Sequence, residues 1–547
     1  MVFGEPNNAT RRAGVEFERV PSTTMSASTS NSFSRPATSV LPPASNTPSF
    51  ILASNQKSYK HQYSNIYFLR LQALKEIVVQ NAKRRWQHLA DKPTLVPRVL
   101  EVTKGKICYV VGTVYMEMPL KPNVLVDLAR DNSIPPPPPV SKFYSSEDKV
   151  MLEDESGRIR LVGDSLKTIR LTTGVILGVL GMETPNGDFE VVDHCFAGLA
   201  PQVATDSDEE MNVDGPSSDP WIGVISGLEV GSEASSDARI QMLIEYLTAE
   251  TGLEADQVPA SQISRLIIAG DSLAPITMAG RGDYQSQIED KKARKNAQDT
   301  SVFTPHPIHN LASHLLDIGR TLPIHVLPGE TDPAGTILPQ QPLPRAMFGE
   351  VSKLPSFVCE SNPTYIRLAP GIVEDEKTAA QKGASARTLL VHSGQPLNDI
   401  FKYLPNRHNS RLALLEATLK WRHMAPTAPD TLWCHPYVNN DPFILKDTPD
   451  IYLVGGQTRF GTKLVVGEDL KKRRIQCRVV MVPNFSRTGT LVLVNLRSLE
   501  VKCVQFGVSG MTGAGGAPEE VKLPKATQMP AEPLSSEQQM GGSPGPM

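Results

Sequence analysis

The spacing of apolar residues changes three times along the chain. Residues 63–86 carry apolar side chains every three or four positions and end in Lys83, Arg84 and Arg85, which predicts an amphipathic helix, or two short ones. Residues 95–200 hold short β-branched and aromatic runs separated by glycine-containing turns, which predicts strands. From Trp221 to about residue 506, apolar runs that end in polar loops alternate with helical patterns, which predicts an α/β region.

The β-rich region is typical of a small barrel. Its strand runs are 107–115, two within 150–162 around a Glu-Ser-Gly turn, 174–182 and 189–193. About five strands with glycine-marked bends in roughly 100 residues predict a barrel of the oligonucleotide-binding (OB) type. Barrels that bind single-stranded DNA show aromatic residues on a basic groove, whereas the central hairpin here carries Glu153, Asp154 and Glu155. Binding of single-stranded DNA therefore remains only an alternative.

The order of apolar runs in the α/β region predicts where a ligand site would lie. Its main apolar runs are 222–227, 266–271, 324–329, 389–394 and 451–456, its helical patterns are 238–248, 309–316 and 411–421, and it closes with β-rich runs at 476–482 and 490–496. Parallel strands deliver their following loops to one edge of a sheet, where α/β folds place ligands. We therefore expect five polar loops to meet on one rim.

Local composition sets the predicted boundaries. Residues 1–50 are rich in Ser, Thr, Pro and Asn and are predicted to be a disordered extension, as is the Gly/Pro-rich tail 508–547. Between them we expect a helical segment at 51–92, the OB domain at 93–200, an acidic linker at 201–220 and the α/β domain at 221–507. Charged or polar loops interrupt the α/β domain at 280–300 and 374–387.

The bulk composition excludes some functions. A chain of 547 residues is too long for a single core, and 55 basic against 58 acidic residues argue against a protein whose main task is to grip nucleic acid by its phosphates. The six cysteines form no C-x-x-C pair, which fits free thiols in a reducing compartment better than a zinc site. No apolar run is long enough to span a membrane and no signal peptide is evident, so we expect a cytosolic or nuclear protein.

The five rim loops carry, in order, Ser226-Gly-Leu, Gly270-Asp-Ser-Leu-Ala, Gly329-Glu-Thr-Asp, His392 and Gly456-Gln-Thr-Arg. This order resembles the calcineurin-like metallophosphoesterase family, whose loops carry D-x-H, G-D-x-x-D, G-N-H-[DE], a single His and G-H-x-H. That resemblance implies a two-sheet α/β sandwich and a site for two metal ions. Most ligand positions depart from the motifs, so we expect no catalytic residue, no metal ligand and no cofactor. The vestigial site comprises Asp271, Glu330, Thr331, Asp332, His392 and Gln457, and the Asp271 and Asp332 carboxylates are expected to cap turns or helix N-termini.

An OB barrel followed by such a ligand-stripped domain resembles the B subunits of eukaryotic replicative DNA polymerases. Four sets of residues are similar in particular to the second (small) subunit family of DNA polymerase delta: LPGETDP (327–333) with LPQQPL (338–343), GQPLNDIF (394–401), PTAPDTL (426–432) with DPFI (441–444), and VPNF (482–485) with VNLRSL (494–499).

The resemblance implies a nuclear, non-catalytic scaffold in DNA replication and repair. Such a subunit would bind the cysteine-rich C-terminal domain of the catalytic subunit and bridge to a third accessory subunit. It would reach the sliding clamp and DNA indirectly through the complex, without a membrane contact. The alternatives are a B subunit of polymerase alpha or epsilon, or an active metal-dependent phosphoesterase or nuclease.

Overall fold

The computed structural model describes residues 35–54, 57–90, 92–122, 141–202, 219–232, 234–250, 254–275, 306–373, 386–405, 410–469 and 472–507. The α-helices in these residues are α1 (Asn65–Trp86), α2 (Ala234–Thr248), α3 (Glu254–Ser261), α4 (His306–Gly319), α5 (Gln395–Lys402), α6 (Arg411–Trp421) and α7 (Phe485–Thr488). None of them is both long and apolar enough to span a membrane.

The described strands form three six-stranded sheets. In chain order they are β1 (Thr38–Leu41), β2 (Thr94–Leu95), β3 (Cys108–Glu117), β4 (Lys149–Glu153), β5 (Arg158–Val162), β6 (Ile176–Glu183), β7 (Phe189–Cys195), β8 (Trp221–Ile225), β9 (Ile263–Ala269), β10 (Ile324–Leu327), β11 (Phe357–Cys359), β12 (Thr364–Pro370), β13 (Arg387–His392), β14 (Ile451–Gln457), β15 (Gly461–Glu468), β16 (Arg474–Pro483), β17 (Thr490–Asn495) and β18 (Val501–Gln505).

The first sheet closes into the predicted barrel. Its strand order is β2-β3-β4-β5-β7-β6, and β6 also pairs with β3, so five strands form a ring with β2 added beside β3. Val110, Leu152, Leu177 and Phe189 are buried within the same core. The single helix α1 covers one flank of the barrel, where Leu74 and Val78 pack with residues of β3 and β6. A helix followed by a five-stranded barrel confirms the prediction for this region.

The other two sheets pack face to face. Their orders are β1-β12-β13-β14-β16-β15 and β11-β10-β9-β8-β17-β18, and the apolar side chains between them include Val224, Ile267, Val391 and Leu453. The central strands are parallel and buried on both faces, which explains their continuous apolar runs. Helices α2 and α4 cover the outer face of the sheet that contains β8, whereas α5, α6 and the barrel cover the outer face of the sheet that contains β13. The barrel and the sandwich therefore share one apolar core.

The predicted disorder of residues 1–50 is wrong for residues 35–50. Strand β1 pairs antiparallel with β12, and the Arg35 guanidinium donates to the backbone carbonyls of Ala260 and Ile263. Phe50 is buried and stacks on Tyr365, with ring centroids 5.8 Å apart. This segment needs no core of its own because it extends an existing sheet edge, which composition cannot reveal. Residues 1–34, 203–218 of the predicted linker, the loop 280–300 and the tail 508–547 lie outside the described residues.

Candidate functional site

The loops that follow β8, β9, β10, β13 and β14 meet at one rim of the sandwich, as predicted. The amide of Gly227 donates to the carbonyl of Gly270 at 2.9 Å, which joins the first two loops. The amide of Gly456 donates to the hydroxyl oxygen of Ser226 at 2.8 Å, which brings in the fifth loop. A Cβ atom on Gly270 would lie 2.5 Å from Cβ of Ser393, so the loop after β13 also packs against this point.

Asp271 holds the loop that follows β10. Its Oδ1 accepts hydrogen bonds from the amide and the hydroxyl of Thr331, at 3.1 and 3.3 Å. Burial raises the pKa of Asp271 and the charge of Glu229 adds to this rise, while hydrogen bonds from Thr331 and Glu330 oppose it. The approach is so close that a Cβ atom on Gly329 would lie 2.2 Å from the Asp271 amide nitrogen. These are the contacts of a carboxylate that caps a turn.

Asp332 lies deeper in the same loop. Its Oδ1 accepts from the amide of Leu273 at 2.9 Å, and its Oδ2 accepts from the amide of Gly329 at 2.8 Å. Burial raises the pKa of Asp332 to about 6, although these backbone hydrogen bonds oppose the rise and the neighbouring Asp271 adds to it. Both carboxylate oxygens are thus engaged by backbone amides of the rim loops, which makes Asp332 a tie between the second and third loops.

His392 does not reach the rim. Its Nδ1 accepts from the amide of Gly394 at 3.0 Å, so its Nε2 carries the proton and donates to the Tyr452 hydroxyl at 3.1 Å. The ring is fully buried against Tyr452, which belongs to the core on the barrel side of the sheet, and burial lowers the pKa of His392 to about 3. The structure therefore places the His392 side chain apart from Asp271, Thr331 and Asp332 of the predicted vestigial site. Successive side chains of a strand point to opposite faces, and it is Ser393 that enters the rim.

The remaining predicted residues differ in their surroundings. Gln457 is buried, and it donates to the carbonyl of Gly455 at 2.8 Å and accepts from the Arg411 guanidinium at 2.9 Å. Because Arg411 also donates to Asn398 at 2.6 Å, Gln457 ties the fifth loop to α5 and α6. Glu330 is exposed to solvent. The structure thus brings Asp271, Thr331 and Asp332 together and leaves Glu330 and Gln457 at the periphery.

An amide network that the sequence analysis missed occupies the centre of the rim. We call it the rim network: Asn362, Gln340, Ser393 and Gln395. The Asn362 amide lies 2.7 Å from Oε1 of Gln340, 2.7 Å from the Ser393 hydroxyl and 2.9 Å from Oε1 of Gln395. Gln340 in turn donates to the carbonyl of Gly329 at 2.9 Å, which links the network to the Asp332 loop. The available signal was that LPQQPL and GQPLNDIF, which contain two of these residues, had no assigned role.

The polar side chains of the rim are engaged in contacts within the fold. In the rim network, amide and hydroxyl groups hydrogen-bond to one another, and the carboxylates of Asp271 and Asp332 accept hydrogen bonds from backbone amides. In the part of the chain that the structure describes, no group of three or more His, Cys, Asp or Glu side chains is placed to hold a metal ion. The arrangement fixes five loops in place and presents a rigid edge.

A second buried polar cluster joins the barrel to the sandwich. We call it the joint: Arg70 of α1, Asp441 and His423. Nε of Arg70 lies 2.8 Å from Oδ2 of Asp441 with both side chains fully buried, and Nε2 of His423 donates to the same oxygen at 2.8 Å. Burial opposes ionisation of Asp441, yet the partners His423 and Arg70 hold its pKa well below the usual range.

The Arg70 guanidinium also donates to three backbone carbonyls. It donates to the carbonyls of Gly174 in the barrel, at 3.1 Å, and of Pro426 and Ala428, at 2.7 and 2.9 Å. A Cβ atom on Gly174 would lie 2.0 Å from the Pro426 oxygen, so only glycine fits this approach. The segments PTAPDTL and DPFI, known from the sequence only as marks of resemblance, therefore form one wall of the joint.

Comparison with protein families gives a consistent result. The family model for the DNA polymerase delta subunit OB-fold domain matches residues 62–194, which span α1 and the barrel. The family model for the B subunit of DNA polymerase alpha/epsilon matches residues 222–462, which span most of the sandwich. The OB-type barrel predicted from the sequence is thus confirmed.

Three relatives that the chain covers over most of their length share one name. The chain is 33% identical over 454 residues to the DNA polymerase delta small subunit of Oryza sativa subsp. japonica, covering 83% of this chain and 95% of the relative. The corresponding protein of Arabidopsis thaliana is 33% identical over 445 residues, covering 81% and 91%. That of Saccharomyces cerevisiae is 31% identical over 497 residues, covering 84% and 92%. The chain therefore belongs to the DNA polymerase delta small-subunit family and is an accessory subunit of a replicative DNA polymerase.

Proposed function

We propose that this chain is the scaffold of the polymerase delta complex. In this role it binds the cysteine-rich C-terminal domain of the catalytic subunit and bridges to the third accessory subunit, in the nucleus, during replication and repair. The sliding clamp and DNA are reached through the complex. The observation that carries the proposal is the joint, because a barrel and a sandwich fixed to each other by Arg70 offer one large rigid surface. Rigid partners lose little conformational entropy on association.

The sandwich is, in this proposal, a calcineurin-like phosphoesterase fold that works without metal or cofactor. The support is the order of the rim loops together with their contacts. A two-metal mechanism needs carboxylates and imidazoles that are free to face the cations. Here both oxygens of Asp332 accept backbone amides, Asp271 accepts from Thr331, and His392 is directed into the core. Hydrolysis of phosphoesters is therefore not part of the proposed function.

The barrel surface favours a protein partner over single-stranded DNA. On the β4–β5 hairpin and its neighbour β3, basic side chains lie beside acidic ones. Arg158 is 2.5 Å from Glu153 and stacks over the Tyr115 ring at 5.1 Å, and Lys149 is 3.9 Å from Glu117. A groove that tracks a phosphate backbone needs basic charge without such neutralisation.

Reconstitution tests the scaffold proposal. The full chain is mixed with a purified C-terminal fragment of the catalytic subunit and, separately, with the third subunit, and the complexes are measured by size-exclusion chromatography with light scattering. We expect a stoichiometric complex in each case and a ternary complex with both. Separate elution of folded components would refute the proposal. In a parallel oligonucleotide titration, tight and steeply salt-dependent binding by the chain alone would instead favour the DNA-binding alternative.

A further inference from the structure

An open groove runs along the surface where residues 49–52 and 57–61 lie against residues 435–442. It consists of two adjoining parts of about 660 and about 420 Å³, and Leu52 and His435 line both. The far wall of the smaller part is formed by residues 333–344. The loop after β10 therefore has two sides: Gln340 contributes to the rim network within the fold, and the neighbouring residues form a wall of this groove.

Three large apolar side chains that line the groove remain exposed. Ile51 is 58% exposed, Tyr59 55% and Val438 42%. Ile51 and Val438 line the larger part, and Tyr59 lines the smaller part. Single exposed apolar residues are common, but several on one concavity mark an interaction site. Tyr is also among the residues that most often dominate binding energy at protein interfaces.

The groove is held in shape by internal contacts. The Gln341 amide donates to the carbonyl of Phe50 at 3.0 Å, and Oε1 of Gln341 accepts from the amide of Leu52 at 2.9 Å. The Tyr59 ring meets His435 edge-on, with centroids 5.4 Å apart, and the amide of His435 donates to the carbonyl of Leu338 at 2.8 Å. A site that is already ordered binds its partner with a smaller entropic cost.

The described lining of the groove carries basic but no acidic side chains. Among the described residues that line the two parts, Lys57, His61 and His435 are the basic ones, and Asp and Glu are absent. The whole chain, in contrast, has slightly more acidic than basic residues, 58 against 55. Six prolines in the walls remove backbone N–H donors, which disfavours pairing with an added β-strand. The groove thus suits inserted apolar side chains with nearby carboxylates.

We propose that this groove docks a short extended segment of another subunit of the polymerase complex. The segment places apolar or aromatic side chains against Ile51, Tyr59 and Val438, and places carboxylates near Lys57 and His61. The proposal rests on the proposed scaffold function, because its occupant is another subunit. Aromatic enrichment with few charged residues is the composition of an interface centre, and a groove with basic residues at its edge orients an acidic partner.

The test uses the full chain with purified catalytic subunit and purified third subunit, each titrated separately by calorimetry. The double variant Ile51→Asp/Tyr59→Asp should weaken binding of one subunit by about 30-fold or more, the loss expected for a binding hot spot. Val466→Asp, on the edge strand β15 and outside the groove lining, is the matched control because its side chain is likewise 53% exposed. The affinity of Val466→Asp for each subunit should stay within about twofold of wild type.

A charge variant keeps the test independent of the fold of the double variant. Lys57→Glu should weaken binding of the same subunit and make that affinity less dependent on salt. The melting temperature of the variant should equal that of wild type. If the wild type binds while the groove variants bind both subunits as tightly, the groove proposal is overturned and the scaffold function stands. If the wild type binds neither subunit, both proposals fall. If the wild type alone sediments as a dimer and the double variant sediments as a monomer, the occupant is a second copy of this chain and the proposal is wrong.

Discussion

The rim network and the joint are both buried and polar, yet they are built from opposite chemistry. The rim network consists of neutral amides and a hydroxyl that satisfy one another. The joint places an ionised pair, Arg70 and Asp441, in a fully buried position and adds His423 and three backbone carbonyls. A neutral network loses only hydrogen bonds when one member is removed, whereas a buried ion pair leaves an uncompensated charge.

The comparison indicates where this subunit depends on its polar residues. At the rim, polar side chains fix loops. At the joint, polar residues fix the relative placement of the barrel and the sandwich. The strongest constraint therefore lies at the joint, and the losses of stability caused by substitutions in the two clusters should differ in size.

Arg70→Met gives the largest expected effect. It removes one partner of the buried pair and leaves Asp441 charged in an apolar setting, so the free energy of unfolding should fall by about 3–5 kcal/mol. Urea denaturation followed by circular dichroism measures this loss. Lys75→Met, on the same helix with a half-exposed partner 3.9 Å away, is the control and should lose less than about 1 kcal/mol. Equal losses for the two variants would contradict the account of the joint.

Asn362→Ala tests the rim network and ranks second. It leaves acceptors on Gln340, Ser393 and Gln395 without their amide donor, and the expected loss is about 1–3 kcal/mol in the free energy of unfolding. The same denaturation measurement applies, with the exposed Asn439→Ala as control, which should stay within about 0.5 kcal/mol of wild type. A loss as large as that of Arg70→Met would remove the distinction between the clusters.

Asp332 adds a pH dependence to the rim. Its folded-state pKa of about 6 lies above that of an unfolded Asp, so the folded state binds the proton more tightly and this carboxyl favours folding at low pH. The contribution is lost as the pH rises through about 4 to 6. Relative to Asp332→Asn, the wild type should lose on the order of 2 kcal/mol of stability between pH 4 and pH 7. Parallel stability curves for the two proteins across this range would show that the carboxyl does not titrate as described.

Glu330→Ala gives the smallest expected effect. The side chain is exposed and only its backbone amide supports Asp271, so the free energy of unfolding should change by no more than about 0.5 kcal/mol. Thermal denaturation is sufficient to measure it. Gly329→Ala is the matched comparison in the same loop and should be clearly destabilised, because the added Cβ would meet the Asp271 backbone. A stable Gly329→Ala protein would show that the loop is looser than described.

The parts of the fold that were predictable are those with a local signal. The buried parallel strands β8, β9, β10, β13 and β14 follow from continuous apolar runs, and α6 was predicted with the bounds that the structure gives it. Strand β1 was not predicted because it depends on a sheet edge more than 300 residues away, as the pairing of Thr38 with Pro370 illustrates. Helix α3 was missed as well, and Pro259 inside it is unfavourable for a helix.

The candidate site was predictable in position but not in detail. The loops converge as their order implied, and Asp271 and Asp332 both lie at the rim. The side-chain direction of His392 could not be predicted, because an apolar run on both faces does not reveal which face a given side chain takes. Arg70 carried no local signal, since its partner Asp441 lies 371 positions along the chain.

The central claim is that the rim holds loops together and performs no phosphoester hydrolysis. It is tested most directly by the rate at which the purified full chain hydrolyses bis(p-nitrophenyl) phosphate in millimolar Mn²⁺. We expect the rate of wild type to equal that of buffer with Mn²⁺ and to be the same for Asp271→Ala. Hydrolysis by wild type that requires Mn²⁺ and disappears in Asp271→Ala would contradict the account.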